Sequence, residues 1–163
     1  MDKSLYKKFI EEFKSGKIKI SIKFLKMKIG CNEKNRREIC YGFCCRNLSP
    51  YYTKTLIDGE NIPKEYKKFF VDGVMHQNYD DCKMLEYCVK DGSQKPIECK
   101  LAPLGFNESG RLIVKRWTWR KPCPLYGIGN EIYKELKDNL IDIFGEKCYN
   151  KICYMVENNI EEL

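Results

Sequence analysis

The residues with the most chemistry to offer are the cysteines, ten in a chain of 163 residues. They run as Cys31-x8-Cys40-x3-Cys44-Cys45, Cys82-x5-Cys88-x10-Cys99, Cys123 and Cys148-x4-Cys153. No pair is separated by two residues. That excludes zinc ribbons and fingers and thioredoxin-like redox pairs, which use C-x-x-C to bring two sulfurs onto one turn. A radical-type C-x3-C-x2-C pattern also fails, because Asn47 stands where its third cysteine belongs.

The cysteine share, about 6%, lies below the ~8–10% of a short secreted disulfide scaffold. The opening residues lack the layout of a secretory signal, since Glu11 and Glu12 follow the first apolar residues at once. The expectation is therefore a cytoplasmic chain with reduced thiols, where cysteine clusters bind metal rather than pair as disulfides. Four thiolates on Zn²⁺ leave a net charge of about −2, which needs cations and N–H donors nearby. Arg46, Lys100 and Lys121 stand next to or near cysteines for that purpose. Gly42, inside Cys40-Tyr41-Gly42-Phe43-Cys44, allows a backbone turn of positive φ that aims N–H groups at sulfur.

Other chemistry has little material. His76 is the only histidine, so histidine-based triads and histidine-rich zinc hydrolysis have almost no material, and it reads as a loop or surface residue. Gly127-Ile128-Gly129 is too short for a dinucleotide loop. Lys115-Arg116-Trp117-Thr118-Trp119-Arg120-Lys121 mixes cations with aromatics as single-stranded nucleic-acid sites do. On a strand, however, Trp117 and Trp119 share a core-facing side, so nucleic acid is not an expected partner. The net charge of +7 permits weak attraction to polyanions without identifying one. No apolar run approaches the ~18 residues of a membrane span.

The elements that must hold the cysteines can be read from periodicity. Residues 3–15 carry Leu5, Phe9, Ile10 and Phe13 at helical spacing and stop at Gly16. From Lys17 to Phe24, Ile18, Ile20, Ile22 and Phe24 alternate with polar residues, which predicts a strand. Residues 31–50 and 80–103 have few periodic apolar positions and are expected to be irregular loops ordered by ligation. A short helix is expected near Pro63 with Tyr66, Phe69 and Phe70 inward, and a strand over Arg111–Trp119. A helix is expected over Asn130–Phe144 with Asn130 as N-cap and Gly145 as its stop, then a last helix from about Lys147 and a fraying acidic end, Glu157–Leu163. There is no internal repeat and no linker. The fold class is α+β, a single domain over residues 1–163 with cysteine-rich loops around a metal or iron–sulfur centre and a C-terminal helical segment over 130–163.

The run Cys40-Tyr-Gly-Phe-Cys44-Cys45-Arg46, with Cys82-Lys-Met-Leu-Glu-Tyr-Cys88 and Lys95-Pro96-Ile-Glu-Cys99-Lys100 followed by Pro103, resembles the YkgJ-type cysteine-cluster family, described as zinc- or iron-chelating. The resemblance covers roughly residues 29–126. It departs where Cys31 lies nine residues before Cys40, and Cys148 and Cys153 fall outside it. It implies metal chelation and no particular reaction. The ligands expected are Cys31, Cys40, Cys44, Cys45, Cys82, Cys88, Cys99 and Cys123, enough for two four-thiolate centres or one with spare thiols. Cys148 and Cys153 are as readily core thiols as ligands.

The expected function is thus a metal-binding protein carrying zinc or an iron–sulfur cluster, with 4Fe-4S favoured among cluster types and a protein partner for metal or electron transfer. The alternative is an iron–sulfur redox or protein-modifying enzyme, and the third option is nucleic-acid binding through the basic aromatic patch. The isolated chain is not expected to turn over substrate.

Overall fold

A computed structural model describes residues 3–42, 54–57, 63–70, 74–77, 82, 84–90, 95, 97–115 and 123–163. The elements run α1 (Lys3–Lys14), α2 (Ile22–Leu25), β1 (Lys28–Ile29), α3 (Glu33–Asn35), a π-helical turn (Arg36–Cys40), β2 (Lys54–Ile57), a 3-10 helix (Lys64–Phe69) and β3 (Val74–Gln77). They continue α4 (Leu85–Lys90), α5 (Ile97–Leu101), β4 (Leu104–Phe106), β5 (Leu112–Val114), β6 (Tyr126–Glu131), α6 (Ile132–Glu135), α7 (Lys137–Phe144) and α8 (Glu146–Glu157). The fold is α+β, its sheets being antiparallel pairs: β1 with β6, β2 with β3, β4 with β5. The chain divides into two compact units, one of Met1–Cys31 with Leu101–Leu163 and one of Asn32–Lys100.

The first unit has an aromatic core. Phe9 and Phe13 are buried on α1 as the period predicts, while Tyr6 is buried in the place expected of Leu5, which is only half-buried. The rings of Tyr6, Phe9 and Phe13 lie 5.3, 5.5 and 5.1 Å from that of Phe106 on β4. Phe144 at the end of α7 completes the group, 5.1 Å from Phe13. Ile18 and Ile20 are buried as the alternation requires, and Ile20 bridges Leu112 on β5.

Several expectations fail in instructive ways. The strand expected from Lys17 is reduced to isolated bridges at Lys19 and Ile20. Ile22–Leu25 is a helical turn, because Leu25 must also reach the core, where it is fully buried, and Ser21 takes an extended N-cap conformation before it. Asn130 caps no helix: Tyr126–Glu131 is strand, and helix begins at Ile132. Gly127 and Gly129 sit at φ of 83° and 74°, which glycine alone adopts at little cost, and the Glu135 carboxylate accepts from Asn130 N at 2.8 Å. The predicted helix also divides at Leu136, with α7 starting afresh. The acidic end does not fray. Glu161 and Glu162 hold the Arg111 guanidinium, which also donates to Ile20 O at 2.7 Å, and Leu163 N donates to Ile18 O at 2.9 Å. Of the expected strand Arg111–Trp119, Leu112–Val114 is strand and residues 116–119 lie outside those described.

In the second unit, both expected loops contain helix. Asn32 caps α3 through its side-chain oxygen, 2.9 Å from Asn35 N, and the helix runs on into the π turn that ends in Cys40. Residues 80–103 include α4 and α5. These helices are too short for periodicity to register: three to six residues each give fewer than two turns. The 3-10 helix stands where Pro63 announced a helix, and Tyr66, Phe69 and Phe70 pack inward as expected. Among the described residues, no helix is long and apolar enough to cross a membrane.

Candidate metal centre

The second unit collects cysteines. Cys82, 5% exposed, and fully buried Met84 form the heart of a small cluster, with Cys88, Cys99, Tyr66, Phe69, Phe70, Leu85 and Tyr87 packed against it. Sequence distance is overcome by local bonds: Leu85 N donates to Cys82 O and Cys88 N to Met84 O, each at 2.9 Å, so the turn before α4 brings Cys82 and Cys88 to one side. Cys99 arrives on α5.

Cys40 is buried at the C-terminus of the π turn, its thiol 3.9 Å from Arg36 O. That turn rests on α4. Arg37 Nε donates to Val89 O at 3.3 Å, and Gly42 packs so closely that an added Cβ would lie 2.7 Å from Leu85 Cδ1 and 3.0 Å from Val89 Cγ2. Tyr41 and Gly42 both have positive φ, 49° and 67°, the left-handed turn that the glycine implied. Gly42→Ala is expected to destabilise the second unit by more than the ~1–2 kcal/mol of a left-handed residue, because of the contact with α4. Urea titration of the variant, followed by exchange at α4 amides, checks this; wild-type stability would show that α4 yields freely. Cys44 and Cys45, and the cations Arg46 and Lys121, lie outside the described residues.

Cys31 and Cys123 belong to the first unit. Both sit at one end of the β1–β6 ribbon, where Gly30 N donates to Leu125 O at 3.0 Å and Cys123 O accepts from Tyr126 N at 3.1 Å. The Cys31 thiol lies 3.9 Å from Ala102 O. None of the eight described cysteines is in a disulfide. His76 lies on β3, in register with Thr55.

Two charged residues of this region were not picked out as site residues by the sequence reading. Lys95 and Glu98, on either side of the turn into Cys99, are 6% and 5% exposed. Charged side chains are costly to bury unless paired or ligating. Lys95 belongs to the Lys-Pro-x-x-Cys run quoted above, but nothing in composition or spacing marks Glu98. Beside Cys88, burial pushes the Tyr66 phenol up, with the Glu65 and Glu86 carboxylates adding to the effect, so Tyr66 stays a neutral donor.

Cys148 has a different character. It is 5% exposed on α8, and burial pushes its thiol up to about 11, with Lys151 opposing only in part. Raising the pH through the ordinary thiol range, near 9, ionises it in the unfolded chain first. Its contribution to stability, about 2–3 kcal/mol, is present below pH ~9 and is lost between pH ~9 and ~11. Cys148→Ala should therefore flatten the fall in stability over that window, as denaturant melts at a series of pH values will record. An unchanged slope would mean that Cys148 ionises normally in the fold.

The donor chemistry, thiols of low exposure in one small unit, suits zinc or an iron–sulfur cluster. The ligand set is incomplete, however. Among the described residues, no three of histidine, cysteine, aspartate and glutamate converge so as to hold a metal ion.

No family model, curated protein or solved structure matches the chain. The resemblance of its cysteine runs to the YkgJ-type family therefore rests on those residues alone.

Proposed function

We propose that the chain is a thiolate metal-binding protein whose second unit is organised by zinc or an iron–sulfur cluster. The ligands are four sulfurs drawn from Cys40, Cys44, Cys45, Cys82, Cys88 and Cys99, with Cys31 and Cys123 as spare thiols or the start of a second site. The observation that supports this reading is the meeting of Cys82, Cys88 and Cys99 around Met84, with Cys40 on a turn packed against the same helix. Cys88 and Cys82, 11 and 17 positions before Cys99, pack in the same small cluster as Cys99, on or next to helices too short to be stable unaided. Completing the set falls to Cys44 and Cys45. The buried Lys95, in the run that leads to Cys99, is a cation of the sign that a thiolate centre needs. The protein would then store, deliver or structurally use its metal in a reducing compartment.

The test is elemental analysis and an anaerobic absorption spectrum of the purified protein. One or more equivalents of zinc, or a broad visible band that bleaches with dithionite, is the expected result. A metal-free protein with all ten thiols titratable and the second unit folded would overturn the reading.

A further inference from the structure

Between Gly16 and Gly30 the chain carries five lysines, Lys17, Lys19, Lys23, Lys26 and Lys28, and no acidic residue. All five are exposed. Of the seven apolar residues among them, Ile18, Ile20, Leu25 and Ile29 are buried to 1% or less and Ile22, Phe24 and Met27 are half-buried, so the exposed side chains of the segment are its lysines. Lys17 and Lys19 flank Ile18 on extended chain, about 7 Å apart at Cα. Lys23 and Lys26 are three apart on α2 and its cap, which places them as neighbours on one helical face. Lys28 follows on β1.

The acidic groups on adjoining elements are engaged elsewhere. One Glu161 oxygen accepts from Ile22 N at 3.1 Å and the other lies 3.6 Å from the Arg111 guanidinium, which also holds Glu162. Glu131, the register partner of Lys28, pairs with Lys134 at 3.3 Å. Among the described residues, none of the five lysines forms an ion pair. Five like charges on so short a segment repel one another, and a polyanion would relieve that repulsion.

The chemistry of the strip separates the polyanions. Interfaces between proteins are depleted in lysine, whereas those with nucleic acid are strongly positive. A membrane surface is held by cations together with inserted apolar side chains, and none of the seven apolar side chains of this segment is exposed, four being buried and Ile22, Phe24 and Met27 half-buried. Next to the strip, on the strand hydrogen-bonded to β1, Tyr126 is 48% exposed and offers a ring for stacking. Cations that follow a phosphate backbone beside an exposed aromatic ring are what single strands use. We propose that the strip Lys17–Lys28 with Tyr126 is a docking surface for single-stranded nucleic acid, bound through its phosphates without base selectivity.

The experiment uses the full chain as purified and fluorescein-labelled oligothymidylate, with anisotropy read from ~50 to ~200 mM salt. Five phosphate contacts on a single strand give a slope of log K against log salt near −3.5, or roughly a 100-fold loss over that range. Replacing all five strip lysines by glutamine should bring the slope close to zero. A control variant with Lys7, Lys34, Lys64, Lys137 and Lys147 replaced by glutamine, all exposed and lowering the net charge equally, should stay within about threefold of wild type at ~50 mM salt. The pair Lys17→Gln with Lys19→Gln, a smaller change, should reduce the slope by about 1.4. Tyr126→Ala should cost fivefold or more on the single strand and leave a duplex unaffected. Equal losses in strip and control variants would overturn the proposal. So would tighter binding to duplex than to oligothymidylate, or binding to phosphatidylserine vesicles alone.

Discussion

Phe106→Ala is expected to cost about 3–5 kcal/mol of unfolding free energy in the first unit, enough to lower its melting temperature by roughly 12 °C or more. The size follows from the position of the ring. Phe106 lies within 5.1–6.3 Å of Tyr6, Phe9, Phe13 and Phe144, mostly edge to face. Those separations fall in the range where aromatic pairs attract beyond their buried area. The residue therefore joins α1, β4 and α7, and a cavity there has no flexible neighbour to fill it, since all four surrounding residues are rings held by their own elements. Tyr154→Ala removes a side chain of similar size that is 55% exposed, and should stay within ~0.5 kcal/mol of wild type. Guanidinium melts of the two variants give the comparison. A difference under ~1 kcal/mol would show that the aromatic group repacks.

How much of this could be read in advance depends on element length. The amphipathic spacing of Leu5, Phe9, Ile10 and Phe13 leads directly to α1, and the run after Gly145 leads to α8, because twelve residues each provide three full turns of pattern. The alternation Ile18, Ile20, Ile22, Phe24 was misleading in its second half. Period 2 and one turn of period 3.6 share their first positions, and what decides at Ser21 is the need to bury Leu25. Asn130 has the side chain of a cap but lies within strand Tyr126–Glu131. Gly127 and Gly129, with Glu135 reaching back to Asn130 N, instead continue the β1–β6 ribbon. In the second unit, the cysteine spacings group Cys82, Cys88 and Cys99, and Gly42 signals a residue of positive φ. They did not reveal the short helices that carry them, since a single turn capped by Asn32 or begun at Cys82 leaves no periodic trace. Arg111 was unreadable as an anchor for Glu161 and Glu162, because its partners lie some 50 residues away.

Removing the metal under reducing conditions is expected to unfold the second unit and leave the first intact, giving two thermal transitions in place of one. The expectation rests on the proposed function and on the unequal cores. In the first unit, α1, the β4–β5 pair, α7 and α8 bury a continuous set of large side chains. In the second, the described cluster has one fully buried large residue, Met84, surrounded by half-buried rings and thiols. Burying one methionine contributes about 1.5–3 kcal/mol, whereas ordering each backbone residue costs ~1–2 kcal/mol. Ion pairs on this unit do not close the gap: Glu86 with Lys90 and Glu33 with Arg37 are both exposed, and such pairs contribute little. A structural metal contributes ~10–16 kcal/mol at neutral pH, the scale required. Hydrogen exchange before and after chelation resolves the two units. Amides of residues 33–42 and 84–90 should lose protection while those of α1, α7 and α8 keep theirs. Cys99→Ser should reproduce the effect of the chelator without any being added, by removing one ligand and leaving the others unable to complete the set. If the amides of α4 stay protected once the metal has gone, the second unit is held by apolar packing, and its thiols bind metal as cargo rather than as a scaffold.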